Sequence, residues 1–169
     1  MYITKKEEEG GRSMGRYYFH YSNDEENQYK LNQSSFLKGY DKKHIRLSAF
    51  RAEINNTNQF ILENTVRKVH FSNEQFDLGN EFDSTISAFS PKEGGIYTIT
   101  ASIEFQADDI KGFTLETLFL INDNIIQKTH KEFPSNTTSS IIEMTGDILL
   151  NCCDQVQIAI KSTVCGTIQ

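Results

Sequence analysis

Side chains able to do chemistry are sparse in this chain of 169 residues. Its histidines, His20, His44, His70 and His130, are scattered, with no His-x-His or His-Glu-x-x-His spacing to place two imidazoles on one metal ion. They read as loop or strand-surface histidines. Three cysteines are present, two of them the neighbours Cys152 and Cys153, the third Cys165. An odd count and a strained vicinal pair do not make a disulfide framework, and no Cys-x-x-Cys metal spacing occurs. Their expected role is that of small buried apolar side chains; reactivity would require exposure near a cation. No Gly-x-Ser-x-Gly elbow, phosphate loop or Gly-x-Gly-x-x-Gly run supplies a nucleophile or an anion cradle, so an enzyme is not expected. Carboxylates in expected loops are the remaining chemistry. Asp108, Asp109 and Asp147 are weak candidates for calcium, which takes oxygen ligands from loops. Without EF-hand spacing they read better as solvated charge, and Asp77-Leu78-Gly79-Asn80 reads as a turn between strands.

The elements that must hold these residues divide near position 47. Residues 1–47 carry 9 Lys+Arg against 7 Asp+Glu, while 48–169 carry 8 against 16, for an overall charge of -6. A phosphate-binding surface is therefore not expected of the whole chain, and no nucleic-acid partner is inferred. The first 47 residues contain neither Val nor Ala, yet hold eight aromatics, including Tyr17-Tyr18-Phe19. They read as a loosely ordered arm or tether. Ser22 with Glu25 fits a capping box for a short helix from about Asn23 to Leu31, although an irregular or strand-like arm suits the pattern better. The opening MYITKKEEEGGRSMGR lacks the apolar core of a secretory signal, and no run of 18 apolar residues predicts a membrane span.

From Ser48 onward the alternation is that of strands. Tyr97, Ile99, Ala101, Ile103 and Phe105 share one face of a strand over Gly95–Gln106, with Thr98, Thr100, Ser102 and Glu104 on the other. Leu115–Ile121, a three-residue turn at Asn122-Asp123-Asn124, and Ile125–Lys128 read as a hairpin. Val156, Ile158 and Ile160 are expected to face inward, with Gln157 and Ala159 outward. Shorter strands are expected at Ser48–Ile54, Thr65–Phe71, Ser84–Phe89, Ser140–Met144 and Ile148–Leu150. The segment Phe60–Phe71 also fits helical spacing in part. Seven or eight short strands with polar turns call for an antiparallel sandwich or jelly roll.

In order, the landmarks are Ser48-Ala49-Phe50-Arg51-Ala52, then Phe82-Asp83, then Phe89-Ser90-Pro91 with Gly95-Ile96-Tyr97, and finally Asp154-Gln155-Val156. This series resembles the globular head of complement C1q and its bacterial relatives, within the tumour-necrosis-factor-like jelly rolls, over residues 48–169. The family-motif residues are Phe50, Phe82, Asp83, Phe89, Pro91, Gly95, Tyr97, Asp154, Val156 and Gly166. Two departures stand out: Cys153 occupies the place of the usual Gly before the late Asp, and the closing strand is matched to Val164–Ile168. Residues 1–47 hold no Gly-X-Y repeat of the collagen-like stalk that many relatives carry.

The resemblance implies a ten-stranded all-β jelly roll that assembles as a homotrimer. Ile96, Leu118 and Leu120 lie on the opposite parity from their strands' main apolar sets and are candidates for the threefold interface; the alternative is cover by the arm and loops. It further implies a non-enzymatic recognition or adhesion module, binding a glycan or protein through loops. Calcium occurs in some relatives. A Lys-, Asn-, Ile- and Glu-rich composition suggests a low-GC bacterium, so the implied setting is a cell or spore surface of exosporium type; without that analogy the chain is expected in the cytoplasm. The competing reading is a structural or assembly part, such as a phage-fibre tip or shell protein.

Overall fold

The computed structural model describes residues 1–6, 48–55 and 58–169. The chain divides into two compact units, Met1–Glu7 with Leu47–Gln169, and Glu8–Arg46. The second unit and the helix expected near Asn23–Leu31 lie outside the described residues.

Thirteen strand segments appear among the described residues: β1 (Tyr2–Lys6), β2 (Ala49–Glu53), β3 (Gln59–Ile61), β4 (Arg67–Lys68), β5 (Asn73–Asp77), β6 (Phe82–Asp83), β7 (Ala88–Phe89), β8 (Gly95–Ala107), β9 (Phe113–Ile121), β10 (Asn124–Phe133), β11 (Ser139–Leu150), β12 (Val156–Ser162) and β13 (Gly166–Ile168). Every pairing is antiparallel. One sheet runs β3-β13-β8-β1-β2-β5, with β11 also paired to β8; the other runs β10-β9-β12-β7-β6, with β4 also paired to β12. Neighbours distant in sequence, such as β13 beside β8 and β12 beside β7, are the crossovers of a jelly-roll sandwich. The all-β expectation therefore holds. The segments outnumber the ten expected strands because turns divide the early chain into pieces of two or three residues.

Strand β8 is the spine of the first sheet. Its odd residues from Tyr97 to Ala107 are buried, as period-two alternation demands. Strand β11 pairs along nearly all of it, from Leu150 opposite Gly95 to Ser139 opposite Gln106. The two short strands expected at 140–144 and 148–150 are thus one, running through Gly146. On its other edge β8 is shared: β1 covers Ile96–Thr100 and β13 covers Phe105–Ala107. Residues 1–6 therefore belong to the sheet and not to the arm. The Met1 ammonium donates to Ala52 O at 2.8 Å, and burial, with help from the nearby Arg51 charge, lowers its pKa to about 6.

Three other expectations need correction. The hairpin turn has two residues, because Asn124 already pairs with Ile121. Asn122 and Asp123 both take positive φ (50° and 65°), the backbone of a type I′ turn whose twist matches that of the strands. In β12 the outward residues Gln157 and Ala159 are buried as well. This strand is central in its sheet, and Ala159 joins Leu118 and Leu120 in a small apolar cluster on the far face. The helical option for Phe60–Phe71 is not realised; a turn links β3 to β4 there.

Candidate functional site

Most of the motif residues, spread over more than a hundred positions, meet in two adjoining places, while Gly166 lies apart at the far end of β8. The first is an aromatic stack in the core. Phe50 lies between Phe82, with ring centroids 4.5 Å apart, and Phe89, at 5.1 Å. Phe89 in turn meets Tyr97 edge-on at 5.5 Å. Strands β2, β6, β7 and β8 each contribute one ring. Tyr97 is fully buried, and its hydroxyl donates to Glu93 O at 2.8 Å, which satisfies the polar end of an otherwise apolar side chain. Val156 continues the packing, paired to Phe89 on one side and Ile121 on the other.

Carboxylates around this stack organise turns. Asp77 accepts backbone N–H groups from Gly79, Glu81 and Phe82 at 3.1, 2.6 and 2.7 Å, which closes the turn expected at 77–80. Glu81, 6% exposed, accepts the Ser48 hydroxyl and the Lys92 N–H. Asp83 accepts the hydroxyl and N–H of Thr85, and these bonds hold its carboxyl below the ordinary 3.8.

The second place is an end of the sandwich where three loops touch. Asp154 accepts the Asn151 N–H at 2.8 Å and the Asn122 side-chain amide at 2.9 Å, and its carboxyl is held below 3.8 by the Asn151 N–H first and by Asn122 next. Asn122 in return accepts the Gln155 N–H at 2.9 Å. Pro91 O, in the link from β7 to β8, accepts the Cys153 N–H at 2.8 Å. Cys153 has φ of 71°, the left-handed conformation that a glycine would adopt without cost. Such a backbone costs a side-chain-bearing residue roughly 1–2 kcal/mol. Cys152 and Cys153 are exposed and their sulfurs lie 2.9 Å apart, so the buried apolar role expected for them is not theirs; Cys165 is partly buried.

Gly166 pairs with Ala107 where β13 lies beside β8, and an added Cβ would collide with Gln106 O and the Phe105 ring, so close approach there requires glycine. Gly95 opens β8 opposite Leu150. The weak calcium candidates are not brought together. Asp147 accepts the Thr98 hydroxyl near the start of β8, whereas Asp108 and Asp109 follow its end, about 30 Å away at some 3.3 Å per residue. Asp109 is instead paired with Lys111 at 2.9 Å. Of the interface candidates, Leu118 and Leu120 are already buried within the single chain (2% and 5% exposed), while Ile96 is partly exposed opposite Leu149, itself 75% exposed.

Sequence reading missed a Ser–His pair: Ser87 Oγ lies 2.8 Å from His70 Nδ1. That hydroxyl is buried and also accepts the Phe71 N–H at 2.8 Å, so it ties a loop to a turn and is closed to a substrate carbonyl. Also unforeseen was an open groove of about 520 Å³ between the neighbouring edges of β10 and β11, lined by Thr129, His130, Lys131, Ile141, Ile142 and Glu143.

No family model matches the chain, and no curated protein matches it. Among solved structures it is similar to the globular domain of zebrafish complement 1qA protein, at 14% identity over 66% of this chain and 90% of that one, with a TM-score of 0.37. No helix among the described residues is long and apolar enough to cross a membrane.

Proposed function

We propose that this chain is a C1q-like recognition module that works as a homotrimer and binds a glycan or protein through its loops, without catalysis. The supporting observation is the convergence of the scattered motif residues: Phe50, Phe82, Phe89 and Tyr97, read from four separate segments, form one stack. A motif series that resembles a family by order alone has in this chain a physical reason for its spacing. Trimeric display would multiply weak loop contacts through effective concentration. With Leu118 and Leu120 covered inside the protomer, Ile96 and Leu149, together with Ile141 (53% exposed) beside the β10–β11 groove, are among the exposed apolar side chains open to a threefold contact. A bacterial spore surface is the setting this reading favours.

Sedimentation and light scattering at low micromolar concentration test the assembly. A mass three times that of the 19.4 kDa chain is expected, and Leu149→Asp is expected to shift it toward monomer. A monodisperse wild-type monomer would sink the trimer. A glycan array then tests recognition, with reproducible binding expected for the wild type and lost on dissociation.

A second reading, an assembly or shell part, draws on β1. This strand lies inside the sheet between β2 and β8 but is separated from β2 in sequence by residues 7–48, a connection long enough for strands to exchange between copies. Higher assemblies that vanish when residues 7–47 are replaced by a tight turn, which makes β1 pair within its own chain, would favour it.

A further inference from the structure

Cys152 and Cys153 lie in the turn between β11 and β12, both exposed and both present as thiols, with Sγ atoms 2.9 Å apart. We propose that they form a two-thiol redox switch, closing to a vicinal disulfide and reopening under reducing conditions. The inference is independent of the trimer and of any loop ligand.

Three observations carry it. The sulfurs already face one another within reach, so what closure demands is a twist of the 152–153 backbone, whose Cα atoms, about 3.8 Å apart, are nearer than in an ordinary bridge. Exposure lets a small oxidant reach them. The position matters too: among the described residues, seven non-glycine residues have positive φ, five of them Asn or Asp, and Cys153 is one of the two exceptions. A glycine would satisfy that backbone, yet a cysteine occupies it and thereby sets its thiol beside its neighbour's. The turn is also coupled to its surroundings. Cys153 N–H donates to Pro91 O, and the adjacent Asp154 holds Asn151 and Asn122, so a change of backbone at 152–153 is felt by three loops at once.

With a low-molecular-weight disulfide as oxidant, one cysteine loses its proton and its thiolate attacks a sulfur of the oxidant. The oxidant's S–S bond breaks and a first small thiol leaves. The neighbouring cysteine then loses its proton, and its thiolate displaces the second small thiol from the mixed disulfide. Two S–H groups and one oxidant disulfide become one protein disulfide and two small thiols; two electrons pass to the oxidant and both protons end on its thiols. A bridge strained by its short ring and open to solvent belongs to the readily reduced class, which suits a reversible device.

The test uses the full chain incubated with oxidised glutathione, quenched in acid, unfolded and labelled with a maleimide. Labelled thiols are expected to fall from the three in the sequence to one, with a mass lower by two hydrogens and full return on adding dithiothreitol. Cys165→Ser should still close the bridge. Cys152→Ser and Cys153→Ser should not, each taking up glutathione instead. Hydrogen exchange at the Cys153 amide should be faster in the oxidised form as its bond to Pro91 is disturbed. Persistence of all three thiols, recovery of the lost ones as glutathione adducts or chain-to-chain dimers, or identical exchange in the two forms would overturn the proposal.

Discussion

The aromatic stack and the loop clasp at Asn122, Cys153 and Asp154 both draw on motif residues, but different forces hold them. Phe50, Phe82, Phe89 and Tyr97 are buried, and their order comes from filled volume. The clasp is solvent-exposed and is ordered by directional hydrogen bonds among Asn151, Asp154, Asn122 and Gln155. Packing of this kind tolerates little change of size. A hydrogen-bonded turn can carry an unfavourable residue, provided its bonds survive. That difference explains how the turn can carry Cys153 on a glycine-like backbone while Phe50 stays fixed between its neighbours.

The sharpest way to break the contrast is Phe50→Ala. Emptying the centre of the stack is expected to cost about 3–5 kcal/mol, read as a lower urea midpoint; a loss below about 1 kcal/mol would mean that the stack does not organise the core. Glu81→Ala comes next. Removing the buried acceptor of the Ser48 hydroxyl and the Lys92 N–H leaves two donors unsatisfied, for an expected loss of about 1–3 kcal/mol in the same assay.

The clasp should behave oppositely. Cys153→Gly relieves the left-handed strain, while glycine's freedom in the unfolded chain offsets part of that gain, so a rise of about 0.5–1 kcal/mol is expected under reducing conditions. A loss of stability would show that the thiol packs usefully. The smallest effect is that of Asp154. Its folded pKa lies below 3.8, so the folded state binds fewer protons than the unfolded one in that range. Its contribution is complete above its ordinary value and disappears as pH falls through the lowered one. NMR titration of the carboxyl should place its midpoint below that of an unfolded reference, and Asp154→Asn should remove this part of the acid dependence of stability.

Several elements were legible in the residues. The inward set of β8, from Tyr97 to Phe105, follows from alternation, since consecutive side chains of a strand must point to opposite faces. The Asn-Asp hairpin was visible in its turn chemistry, but its length was misjudged. Asn124 carries the same turn preference as its neighbours, and only pairing with Ile121 makes it a strand residue. β1 could not be foreseen: Tyr-Ile-Thr-Lys-Lys is strand-like but sits next to a charged run, and its partners are some 50 and 95 residues away.

By itself the sequence determined the all-β class, the inner face of the longest strand and the positions of the main turns, because these depend on period and local backbone preference. Tertiary structure alone decided that Leu118, Leu120 and Ala159 share a second buried face, that Asp147 stands far from Asp108 and Asp109, and that Cys152 and Cys153 are exposed in a glycine-like turn. Burial and proximity depend on which strands become neighbours, and in a jelly roll those neighbours are set by long-range crossovers that leave no mark on local spacing.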